Sequence, residues 1–163
     1  MSLGDNTLAA ARGAHARGRQ PYMVQTVVDF ATALADKGSA LAANDIIPCL
    51  SVPAGTLILN AGIQVDTVAS SGTTTLDLGT GVDVDCFVDG FDADDGTAAG
   101  TYAQNAAAYQ PILAVAAETI DIKLATQSGT ALTTGKVRVF AVLMDVTDTG
   151  YSVATEVDRD YLA

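Results

Sequence analysis

Between Pro21 and Met144 the chain alternates apolar and polar residues in short blocks with a period of two, the side-chain period of a strand. Tyr22, Val24, Thr26, Val28 and Phe30 alternate with Met23, Gln25, Val27 and Asp29. Leu57, Leu59, Ala61, Ile63 and Val65 form one predicted face, with Thr56, Ile58, Asn60, Gly62, Gln64 and Asp66 opposite and a bend expected at Gly62. Thr74, Leu76 and Leu78 follow a Ser70-Ser71-Gly72 turn. Val82, Val84, Cys86 and Val88 are then read as facing inward, with Asp83, Asp85, Phe87 and Asp89 outward. Ile120, Ile122 and Leu124 alternate with Thr119, Asp121 and Lys123, and Val137, Val139, Ala141 and Leu143 with Lys136, Arg138, Phe140, Val142 and Met144. The nearly unbroken apolar run at 139–144 predicts a strand covered on both faces. Pro48, inside the short apolar run at 46–50, predicts an edge strand or a bulge.

Turn clusters at Lys37-Gly38-Ser39, Pro53-Ala54-Gly55, Gly79-Thr80-Gly81, Ser128-Gly129 and Thr133-Thr134-Gly135 separate about seven or eight such strands. Helical periodicity is absent from the body apart from the stretch 98–109. The predicted fold is therefore all-β, an antiparallel, jelly-roll-like β-sandwich with an extended N-terminal arm. The arm is 1–20, whose only large apolar residues after Met1 are Leu3 and Leu8; the body is 21–146. The acidic segment 147–163 spaces Tyr151, Val153 and Val157 as one further strand would. Residues 92–110 break the rhythm. So long a connection is either a contact loop or a short surface helix at 103–109.

Composition narrows the function. Hydrophobic residues make up 49% of the 163, and charged residues only 17%, which fits a packed domain. No apolar run reaches the ~18 residues of a membrane helix. The net charge is −11, but residues 1–20 carry +2 and residues 21–163 carry −13. Such a body repels nucleic-acid phosphates and anionic membranes, so neither is an expected partner. Arg12, Arg17 and Arg19 give the arm the sign needed to dock on an acidic protein neighbour. Tyr102 and Tyr109 place aromatic contact area in the 92–110 loop.

Catalytic chemistry finds little material. His15, the one histidine, lies in the arm among arginines, where nothing fixes a partner for it. No phosphate-cradling glycine loop is present, so no enzyme activity and no cofactor are expected. Cys49 and Cys86 leave open a disulfide or small buried hydrophobes. The acidic cluster offers Asp89, Asp92, Asp94 and Asp95 as calcium candidates, but their spacing is not that of an EF-hand. The competing reading, a solvated strand face, already covers Asp83, Asp85 and Asp89.

A short basic arm leads here into small strands rich in Thr, Gly, Val and Asp. With the segments Pro53-Ala54-Gly55-Thr56, Thr74-Thr75-Leu76-Asp77-Leu78-Gly79, Phe87-Val88-Asp89-Gly90, Ile120-Asp121-Ile122 and Gly135-Lys136-Val137-Arg138-Val139, residues 20–146 resemble the capsid decoration (cement) proteins of tailed bacteriophages. That resemblance implies a jelly-roll body, often trimeric, bound to the major capsid protein on the outside of the virion and present in the host cytoplasm before assembly. It implies bridging of neighbouring capsid subunits by arms and loops. A tail-fibre, head-fibre or receptor-binding module and a calcium-dependent extracellular binding module are the rival readings.

Overall fold

The computed structural model describes residues 20–105 and 111–146. Among these residues nine strands and one helix follow in chain order: β1 (Tyr22–Asp29), α1 (Phe30–Lys37), β2 (Ile46–Val52), β3 (Thr56–Thr67), β4 (Thr73–Thr80), β5 (Val88–Asp92), β6 (Tyr102–Gln104), β7 (Ile112–Ala114), β8 (Glu118–Ser128) and β9 (Lys136–Asp145). They build two antiparallel sheets. Sheet A has the order β1-β9-β3-β6, with β7 also paired to β3; sheet B has the order β2-β8-β4-β5. With β6 and β7 taken as one interrupted strand, each sheet has four strands and the chain repeatedly crosses between them, which is a jelly roll. The all-β sandwich expected from the alternation is the fold observed.

The core lies between the sheets. Val137, Val139, Ala141 and Leu143 of β9 face Ile120, Ile122 and Leu124 of β8 and Leu76 and Leu78 of β4, all buried. Pro48 sits on the edge strand β2 at a register shift between Pro48 and Leu50, so edge and bulge occur together.

The structure corrects several local readings. Phe30 starts a helix rather than ending a strand. The Asp29 carboxylate accepts the Ala31 N–H at 3.0 Å, and the Gly38 N–H closes the far end by donating to the Leu34 and Ala35 carbonyls. Phe30 is then fully buried at the end of the core. In β3, a register shift between Ile58 and Asn60 inserts Leu59 as an extra residue and reverses the phase. Thr56 and Ile58 point inward before it, and Ala61, Ile63 and Val65 after it, leaving Leu57 and Leu59 outside the core. Gly62 marks a close approach, not a bend. A Cβ there would land on the Phe140 ring and 2.7 Å from the Ala103 carbonyl oxygen.

The segment 81–87 is a loop, not a strand. It folds back onto Gly79, where a Cβ would collide with the backbone of Asp83 and Val84. Two residues therefore trade places: Phe87 is fully buried and Val82 is 93% exposed, while Val88 is buried and Asp83, Asp85 and Asp89 are exposed as the alternation predicts. Both cysteines are free thiols, so no disulfide joins them. Burial pushes Cys49 up to about 12 and Cys86 up to about 11, and neither thiolate forms near neutral pH.

Candidate interaction surface

The side of sheet A turned away from the core carries the side chains that leave the strands in the other phase. The registers lay them out in rows across the sheet. Met23 stands beside Val142 and Asn60, and Leu57 stands between Met144 and Leu113. Gln25, Phe140, Gly62 and Gln104 form the next row; Val27, Arg138, Gln64 and Tyr102 form the one after. Met23 is 60% exposed and Tyr102 64%, with Val27 and Leu113 also exposed. The absence of a side chain at Gly62 lets the Phe140 ring and β6 lie close over β3. One half of the face is thus an apolar patch centred on β9.

The other half is charged yet neutral in sum. Lys136 bridges Asp29 at 3.0 Å, and Arg138 donates to Asp66 at 2.9 Å and to the Gln25 side-chain oxygen at 3.4 Å. The Lys136 hydrogen bond, helped by the Ala31 N–H, holds the Asp29 carboxyl below its usual range.

Sheet B presents the opposite character. Asp77, Asp89, Asp92 and Asp121 lie on or beside its outer side, with Asp83 and Asp85 on the loop over Gly79 and Glu118 at the start of β8 opposite Val52. Lys123 is the only cation among the described residues of that side, and it reaches Asp77 at 3.5 Å. Asp77 is buried and also accepts the Gly90 N–H at 3.0 Å. Crowding shows in the carboxyls. A hydrogen bond with Asp83 raises Asp85, while burial and then Asp121 raise Glu118.

The calcium candidates do not converge. Asp92 accepts the Asp94 N–H, and Asp94 accepts the Gly96 N–H at 2.8 Å and the Thr97 hydroxyl at 3.2 Å, so these carboxylates organise turns. Asp95 donates its N–H to the Ser71 carbonyl, and Asp89 is exposed on β5. Among the described residues no group of three His, Cys, Asp or Glu is placed to hold a metal ion. The long connection also contains the strand β6 at 102–104 in place of the start of a helix. The backbone of Val65 fixes its near end, exchanging bonds with Gly100 and Thr101. Arg12, Arg17, Arg19, His15 and Tyr109, like the segment 147–163, lie outside the described residues.

Sequence reasoning found Tyr102 but missed the patch around it. The signal was present in the apolar run 139–144, where both phases are hydrophobic. It was read as a strand covered twice, whereas β9 buries one phase and leaves Phe140, Val142 and Met144 half-covered.

No protein-family model matches the sequence, and no curated protein matches it. The fold nevertheless has close counterparts. A chain of the cyanophage Pam1 capsid asymmetric unit superposes with a TM-score of 0.61 at 18% identity, covering 87% of this chain and 99% of that one. A chain of the capsid of Ralstonia phage GP4 gives 0.57 at 17% identity, covering 79% and 86%. A chain of the acid-stable capsid of Helicobacter pylori bacteriophage KHP30 gives 0.53 at 12% identity, covering 79% and 91%. The fold is one found in phage capsids.

Proposed function

We propose that this chain is a non-enzymatic virion structural protein that binds the outside of a phage capsid and bridges neighbouring capsid subunits. The observation that carries the reading is the near-complete mutual coverage with a Pam1 capsid chain. At 87% of this chain the match takes in most of the sandwich, not one hairpin, and that chain is somewhat shorter than this one. The partner is the major capsid protein, and the contact is the outer face of sheet A. Its apolar half supplies area removable from water, and its paired charges add no net repulsion. Sheet B then faces solvent, where the exposed carboxylates of Asp83, Asp85, Asp89 and Asp92 keep the particle surface hydrated.

The arm and the 92–110 loop add reach. Arg12, Arg17 and Arg19 engage an acidic neighbour, while Tyr102 and Tyr109 anchor the loop. Tethered contacts of this kind reinforce one another through a high local concentration, so modest interfaces sum to slow dissociation.

Co-sedimentation of the purified chain with undecorated capsids tests the proposal. Saturable binding is the expected result, weakened by Leu113→Glu in the apolar patch and by removal of residues 1–20. Failure of the unaltered chain to bind any expanded or empty capsid overturns it.

A further inference from the structure

The four lateral edges of the two sheets are not equally guarded. An open edge presents unpaired N–H and C=O groups, and proteins usually shorten, bulge or interrupt it. β2 carries Pro48 and a bulge, β5 is five residues long with a register shift, and β6 and β7 are three residues each. β1 has none of these devices. It keeps an unbroken register with β9 over all eight residues, and it contains no proline and no cation. Among the described residues the backbone of 22–28 makes no bond on its other side.

We propose that this edge pairs with β1 of a second copy of the chain, antiparallel about a two-fold axis at Gln25. The side chains select both the occupant and the register. In an antiparallel pair, opposed residues lie on the same face, so a two-fold register must be centred on a residue. Centred on Gln25, the pairing sets Met23 against the partner's Val27 twice and Gln25 against its own copy, which brings two exposed apolar residues together. Centred one residue later, it would set Met23 against Asp29.

The inward phase fits as well. Tyr22 of one copy falls opposite Val28 of the other, and Val24 opposite Thr26. An open groove of about 270 Å³ runs along this stretch of β1, lined by Thr26, Val28, Ala33 and Pro48 together with the carboxylates of Asp29 and Asp36, among others. It can receive the exposed Tyr22 ring and Val24 of the partner. Charge favours this edge too. A −13 body repels copies of itself through sheet B, whereas the one acid of β1, Asp29, lies beyond the paired residues and is already bound to Lys136. The resulting two-fold assembly joins two A sheets into one and doubles the apolar outer face. It replaces the three-fold association that the decoration-protein resemblance implies, and it needs no capsid to form.

Analytical ultracentrifugation of the full chain tests it, with two variants that separate pairing from folding. The unaltered chain is expected to sediment with twice the protomer mass. M23K/V27K opposes lysine to lysine at both contacts and should raise the dimer dissociation constant about tenfold or more. M23K/V27E opposes lysine to glutamate at the same contacts and should stay within about threefold of the unaltered chain. Thermal unfolding of each variant checks that the sandwich is intact. A monomer or trimer at all concentrations, a dimer indifferent to M23K/V27K, or equal weakening by both variants overturns the proposal. Because capsid binding is not read in this assay, its failure leaves the virion role standing.

Discussion

The two outer faces of this sandwich arise from the same alternation and serve opposite ends. Sheet A sends Met23, Val27, Phe140, Val142, Met144 and Leu113 away from the core and pairs its charges, Asp29 with Lys136 and Asp66 with Arg138. Sheet B sends out carboxylates with Lys123 as their only described cation. Period-two patterning decides which residues leave the core, and residue type then decides what each face meets. A neutral, half-apolar face loses little when covered by protein. A face of like charges repels both its own copies and acidic surfaces, and stays wet.

Each sheet also holds one glycine against which another segment is packed, and these give the largest expected effects. Gly79→Ala drives a methyl into the backbone of Asp83 and Val84, with the Val84 Cα only 2.6 Å away. Backbone cannot swing aside, so unfolding free energy should drop by about 3 kcal/mol, the upper end of overpacking costs. Gly62→Ala meets the Phe140 ring, which has room on the outer face, and the Ala103 carbonyl oxygen at 2.7 Å. A loss of ~1–2 kcal/mol is expected. Urea titration of the two variants checks the order. Equal losses would mean that the 81–87 loop yields as readily as the Phe140 ring and the short strand β6 together.

The ion pairs sharpen the same contrast at smaller scale. Asp77 is buried and accepts the Gly90 N–H while facing Lys123, so Asp77→Ala strands a donor and should cost ~1–3 kcal/mol. Asp66→Ala removes a partly exposed bridge to Arg138 on the other face and should cost less than ~1 kcal/mol. Thermal melts of the two variants test this, and a larger loss at Asp66 would contradict the burial argument.

The sequence made the sandwich legible where a strand obeys one phase from end to end, as β8, β9 and β1 do. It failed where a partner strand decides. Nothing local to Leu59 announces the extra residue in β3, because a bulge is defined by two residues opposing one on β9. Phe87 and Val82 exchanged places because the glycines at 79 and 81 were read as an ordinary turn, while the chain folds back over Gly79. Asp29, placed in a strand by the alternation, and Gly38, placed in a turn, are the two caps of α1. The eight residues between them were too few to compete with the strand pattern running into Phe30. For the candidate site, Tyr102 was legible as a loop aromatic, but the patch joining it to Phe140 and Met144 requires the β6-β3-β9 register.

Titration gives the smallest effect and the clearest sign difference between the faces. On sheet A, Lys136 and the Ala31 N–H hold Asp29 below its ordinary 3.8, so its contribution to stability is present above that pH and is lost as pH falls through the folded value. On sheet B, Asp83 raises Asp85 above 3.8, and burial with Asp121 raises Glu118 above 4.5. Their charged forms oppose folding, and acidification relieves that opposition as each takes up its proton. Acidifying from neutral pH should therefore relax sheet B first and weaken sheet A only below 3.8. Carbon-detected NMR titration of the side-chain carboxyls reads each group separately. Lys136→Ala should move the Asp29 midpoint up, and Asp121→Asn should move that of Glu118 down. Midpoints for Asp29 and Asp85 on the same side of 3.8 would erase the electrostatic distinction between the faces and leave hydropathy alone to separate them.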